Sequence, residues 1–114
     1  MKLWIDDIRH APDGYVWCKS VNEAKETIEA VEYMFGGYSI YNPTTGLSKK
    51  VSIELIDTDH DAGDYHILGG DYIKLLDWFE ETGRNYPIRI HSMNPVGVEN
   101  MRRIIERNGW TEVK

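Results

Sequence analysis

Residues 56–64 read IDTDHDAGD, placing Asp57, Asp59, Asp61, Asp64 and His60 directly behind the alternating run at 51–55. Carboxylates this close cannot all ionise cheaply unless a cation offsets their repulsion. A loop can bring alternate residues to one point, so Asp59 and Asp61 are candidate metal ligands. Asp6 and Asp7, adjacent in LWIDDIR, form a second acidic pair. A strand running through them would turn only one inward, whereas a turn starting there could aim both at the same ion. Oxygen-rich sites of this sort suit Mg²⁺ or Mn²⁺, which keep several waters and leave positions for a phosphate. The plainer alternatives are turn and cap hydrogen bonding for Asp6 and Asp7 and a solvated acidic loop at 57–61. A calcium loop fits poorly, because Ala62 and Leu68 stand where it needs glycine and glutamate.

His60 and His91 are the groups in these clusters that exchange protons near neutral pH. A lone histidine is more often structural than catalytic, and two beside polar clusters leave both readings open. The stretch HSMNPVGV, residues 91–98, adds a candidate anion site. A helix N-terminus there would present free N–H groups and partial positive charge, with Asn94 as cap, Pro95 setting the first φ and Gly97 permitting close approach. Arg9 could pair with Asp6 or Asp7, or clamp a phosphate oxygen. Arg102, Arg103 and Arg107 read as a solvated helix face, and Trp4, Trp17, Trp78 and Trp110 as core packing.

These residues need elements to carry them. KLWIDDI (2–8) reads as a strand ending at the paired aspartates, followed by turn chemistry at Pro12 and Gly14, and YVWCK (15–19) as a second strand. Ser20 and Glu23 form a capping-box pattern, and Val21, Ala24, Ile28, Val31 and Phe35 recur at helical spacing until Gly36 and Gly37. Two β-rich runs flank NPTTG as in a hairpin with a longer loop, and Val51, Ile53 and Leu55 alternate into the acidic cluster. Asp71 is a candidate N-cap for a helix carrying Tyr72, Leu75, Leu76 and Phe79 and closed by Thr82 and Gly83. YPIRIHS predicts a further strand. Asn94 and Pro95 open a last helix with Val98, Met101, Ile104 and Ile105 inward, and WTEVK predicts a final short strand. Strands alternating with helices imply right-handed crossovers and a mostly parallel sheet. Ligands bind such sheets beyond the carboxyl ends of the strands. Asp6–Asp7, Asp57–Asp61 and His91–Ser92 all fall at ends of that kind.

The 114 residues suit one domain, 1–114, with a single core. Apolar content of 41% argues against disorder, and no run approaches the ~20 apolar residues of a membrane helix. The N-terminal stretch lacks a signal-peptide core, which predicts a cytosolic protein. Cys18, the single cysteine, excludes an internal disulfide and is expected in the core. The net charge of −6 argues against a broad grip on nucleic-acid backbone but leaves room for a small anionic ligand at a locally positive element.

Taken together, LWIDDIR with Pro12, DHDAG and HSMNPVGVENM resemble the cyclic-phosphate processing receiver domains. Their pattern is D-D-x-R near the start, D-H-D-x-G after the third core strand and H-S-x-N-P-x-G near the end. The resemblance spans residues 3–101 and implies a three-layer, receiver-like (flavodoxin-like) α/β fold. Its sheet would be mostly parallel and five-stranded in the order 2-1-3-4-5, with residues 37–50 as a β-hairpin insertion over or beside the site. It makes Asp6, Asp7 and Arg9, then Asp59, His60 and Asp61, then His91, Ser92 and Asn94 the three parts of that site. The implied activity is metal-assisted processing of a cyclic phosphate on a nucleotide, an ADP-ribose derivative or an RNA end. His60 and His91 would divide the acid and base roles beside Asp59 and Ser92. Arg9, Ser92, Asn94 and Gly97 would hold the substrate, and Asp6, Asp7, Asp59 and Asp61 would hold Mg²⁺ or Mn²⁺. Two alternatives are a module that binds such a ligand without changing it and a signalling receiver phosphorylated on Asp57 or Asp59. The second lacks a well-placed lysine, since Lys114 is the only candidate.

Overall fold

The computed structural model describes residues 1–35, 39–42, 47–50 and 52–114. Strands β1 (Lys2–Ile5), β2 (Tyr15–Cys18), β5 (Leu55–Thr58) and β6 (Ile88–Ile90) form a parallel sheet in the order β2-β1-β5-β6. A separate antiparallel pair, β3 (Ser39–Asn42) and β4 (Leu47–Lys50), is the expected hairpin. Its turn at 43–46 and the expected helix stop at Gly36 and Gly37 lie outside the described residues. Helices α1 (Val21–Phe35), α2 (Ile73–Thr82) and α3 (Pro95–Asn108) complete the domain.

The strand order dictates where the helices go. From β2 the chain steps across to β5, then to β6, then to the C-terminal segment beside β6, always in the same direction along the sheet. Successive right-handed crossovers in one direction must lie on one face. The only step the other way, β1 to β2, is made by the loop at 6–14, so the described residues put no helix on the opposite face. This corrects the expected third layer while leaving the receiver-like sheet in place. The core accordingly sits on one side: Leu3, Ile5, Cys18, Ile56 and Ile88 face Ala24, Ile28, Leu75, Leu76, Phe79, Met101 and Ile105, all at most 2% exposed.

The other face carries Lys2, Trp4, Tyr15, Trp17, Asp57 and Arg89 in lateral register. Trp4 meets Tyr15 edge-on at 5.8 Å between ring centroids and stacks flat on His91 at 3.8 Å. These rings cover the sheet where helices would otherwise lie. The tryptophans are therefore not central core residues. All four are half-buried; Trp78 and Trp110 pack against the core, and Trp4 and Trp17 belong to this aromatic layer.

Three boundaries differ from expectation. The strand carrying the acidic cluster starts at Leu55, although Ile53 is buried between exposed Ser52 and Glu54 as the alternation predicts. The terminal strand is reduced to one bridge, Ile88 to Glu112, so a fifth full strand is not formed among the described residues. The N-cap of α2 is Tyr72, and Asp71 instead accepts a hydrogen bond from the Ala62 N–H at 3.0 Å.

Candidate functional site

The direction of chain travel reverses between β1 and β5, which opens a crevice at their carboxyl ends, where open α/β sheets bind ligands. Here the loops after β1, β5 and β6 enclose a cleft of about 380 Å³, lined by Asp7, Ile8, Arg9, Asp59, Asp61, Gly63, Ser92, Met93 and Asn94. All three sequence motifs contribute.

The paired aspartates divide their tasks. Asp7 faces the cleft, whereas Asp6 is fully buried. Asp6 Oδ1 accepts from the N–H groups of Ile8 and Arg9, each at 2.9 Å, which folds the chain into the turn that carries Arg9. Burial works to raise the Asp6 carboxyl, but these N–H groups and His91 outweigh it and hold the group below the usual carboxylate range. Asp7 moves the other way, raised by burial and then by the negative charges of Asp6 and Asp59. Oxygens of Asp6, Asp7 and Asp59 all lie within 4.8 Å of one another.

Asp61 does not join that trio. Its Oδ1 lies 2.9 Å from His60 Nδ1, and both of its oxygens lie 3.3 Å from Asn94 Nδ2. His60, Asp61 and Asp71 form a separate group. The expected four-aspartate metal site is thus divided into two.

Neither histidine lines the cleft. His91 lies between two buried carboxylates, with Nδ1 2.6 Å from Asp57 Oδ1 and Nε2 2.9 Å from Asp6 Oδ2. Both ring nitrogens are thus engaged by carboxylate oxygens. With Trp4 stacked on its ring, His91 is a brace between strands and has no nitrogen free for a ligand. Asp57 is itself fully buried beneath this layer, beside Tyr15 and Arg89 as well as His91, and is closed to phosphorylation. Asp59 is the open member of the cluster.

The helix N-terminus is more occupied than the sequence implies. Asn94 caps α3 as expected, its Oδ1 accepting from the Gly97 N–H at 3.0 Å, and its own N–H donates to Ser92 Oγ at 3.1 Å. Pro95 has no N–H and that of Val98 bonds the Asn94 carbonyl, which leaves Val96 as the first-turn donor without a partner among the described residues. Gly97 does not offer its surface to a ligand: a Cβ there would lie 2.4 Å from the His60 ring. Gly63 has a similar constraint, with φ +53° and Asp7 Oδ2 at 2.3 Å from a notional Cβ. Each glycine makes room for a side chain of another motif.

Arg9 is exposed, lines the cleft and enters no ion pair among the described residues. Its carbonyl accepts from Trp4 Nε1 at 2.9 Å, while Trp17 Nε1 donates to the Asp6 carbonyl at 2.7 Å. Sequence reasoning missed these two tryptophans. The available signal was period-two alternation: Trp4 shares a strand face with Asp6, two positions on and opposite Leu3 and Ile5, and Trp17 stands opposite its apolar neighbours Val16 and Cys18.

A one-directional parallel sheet with an acid-lined cleft at its switch point defines a receiver-like domain. The family model for the cyclic-phosphate processing receiver domain matches residues 1–107, and the chain belongs to that family. No curated protein and no solved structure matches the chain.

Proposed function

We propose that the cleft binds a cyclic phosphate, carried by a nucleotide, an ADP-ribose derivative or an RNA end, together with Mg²⁺ or Mn²⁺, and hydrolyses it. The convergence of three motif loops on one cleft, with the Asp6, Asp7 and Asp59 oxygens within 4.8 Å, carries this reading. The donor set fits a hard cation. All three groups offer carboxylate oxygens, and the Asp7 carboxyl, raised first by burial and then by the negative charges of Asp6 and Asp59, sits where a cation would relieve that repulsion. Bound there, the ion would neutralise charge developing on the phosphoryl oxygens.

The chain's own groups supply the rest. Arg9 reaches the phosphate as a guanidinium, while Ser92 and Asn94 stand at the opposite wall. Hydrolysis joins a water oxygen to phosphorus as one phosphorus–ribose oxygen bond breaks, and the departing oxygen takes a proton. Asp59 and Asp61 face the cleft for these transfers, and Asp61 is coupled to His60. His91 acts as a positioning residue that holds Asp6.

The test is calorimetry and phosphorus NMR with nucleoside 2′,3′-cyclic phosphates in Mg²⁺ or Mn²⁺. Metal-dependent binding and conversion to a monoester are expected, both reduced by Arg9→Ala. Absence of binding across the panel would sink the proposal. A second reading, capture without turnover, draws support from the absence of both histidines from the cleft lining, and saturable binding with no product on long incubation would select it.

A further inference from the structure

Two of the residues lining this polar cleft are large, apolar and exposed: Ile8 at 76% and Met93 at 85%. Nothing in the acid and arginine chemistry requires them. Apolar side chains left open on the rim of a concave site mark a surface that something covers on binding. They sit on opposite walls, Ile8 in the loop after β1 and Met93 in the loop after β6, with the acidic β5 loop between them. Strands β1 and β6 are separated by one strand, roughly 10 Å between axes. A flat ring seated between those loops would meet an apolar side chain on each of its faces. Val96, 67% exposed one turn further on, extends the apolar rim on the Met93 side.

We infer that Ile8 and Met93 clamp a nucleobase, so that the ligand class is a nucleoside bearing the cyclic phosphate and not a bare sugar phosphate. The inference rests on the phosphate-binding reading above and adds the part of the ligand that reading leaves open. An apolar pair above an acidic floor that a divalent cation neutralises suits a ligand with one planar uncharged end and one anionic end. Free nucleotides and RNA 3′ ends share that chemistry.

The test compares three probes in Mg²⁺ by calorimetry: adenosine 2′,3′-cyclic phosphate, base-free ribose 2,3-cyclic phosphate, and a short oligonucleotide ending in a 2′,3′-cyclic phosphate. The nucleoside is expected to bind at least about tenfold tighter than the base-free sugar, a difference of about 1.4 kcal/mol. Ile8→Ser with Met93→Ser should bring the two affinities together, and Met93→Leu should keep the ratio. Equal wild-type affinities, or a ratio that survives the double substitution, would overturn the clamp while leaving phosphate binding intact. If no probe binds, the phosphate reading itself falls and the clamp with it. Tighter binding of the oligonucleotide than of the nucleoside would assign the source to RNA ends, and equal or weaker binding to the free nucleotide; either supports the clamp.

Discussion

Gly97 and His60 form a contact that the two residues must keep together. Gly97→Ala is expected to destabilise the protein by about 1–3 kcal/mol, because a methyl group intrudes on a packed ring. His60→Ala opens the space, so the double variant should recover much of that loss. Chemical denaturation of the four proteins measures the coupling, and simple additivity would refute the contact. His91 has larger consequences, since its removal leaves Asp6 and Asp57 buried without their shared partner. His91→Gln is expected to cost about 3–5 kcal/mol, and adding Asp57→Asn should return part of it. Asp7 gives a pH signature. Its carboxyl is raised in the folded state, so it contributes stability while protonated and loses it as pH rises from the unfolded value through the folded one. In chelator-containing buffer at neutral pH, Asp7→Asn should therefore raise the thermal midpoint, and in acid the difference should vanish. Added Mg²⁺ should raise the wild-type midpoint and leave that of Asp7→Asn unmoved. The depressed Asp6 carboxyl has the opposite sign, its stabilisation being lost as pH falls through its folded value. The motif carriers were legible in the sequence because aspartate pairs and glycines at turns announce themselves. Their partners were not, because His91 meets Asp57 and Asp6 from 34 and 85 positions away.

Among the elements, α3 is the one the sequence specified most fully. Asn94, Pro95 and the apolar stripe each constrain the same helix locally. Asn94→Ala should cost about 1 kcal/mol through loss of the cap, measurable by urea unfolding. At α1 the capping box forms by half: Ser20 Oγ accepts from the Glu23 N–H at 3.0 Å, without the return bond among the described contacts. Asp71 misled because an aspartate ahead of a helix is a good cap in isolation, and only the fold shows the Ala62 N–H competing for it. Asp71→Ala should therefore loosen the loop after β5 more than α2. Hydrogen exchange would separate the two, with faster exchange at Ala62 and little change through Leu75 and Leu76.

At the level of the whole molecule, the sheet has unlike faces. Ile5→Ala, on the helix side, is expected to cost about 2–5 kcal/mol, whereas Lys2→Ala, on the aromatic side of the same strand, should fall within about 0.5 kcal/mol of wild type. Equal costs in thermal unfolding would contradict the one-sided core. Alternation along the strands made the unequal faces readable. The missing helix layer was readable only once strand order was known, because hydrophobic period says which side of an element is buried and not which way the chain travels next. That order also has a kinetic consequence. β1 reaches β2 through a short loop, but it reaches β5 only after α1 and the hairpin have been traversed. Parallel pairings across such separations form slowly. Asp6 and Asp7 lie on one side of that seam and Asp59 on the other, so a refolding chain is expected to regain helical signal before it regains any affinity for a divalent ion.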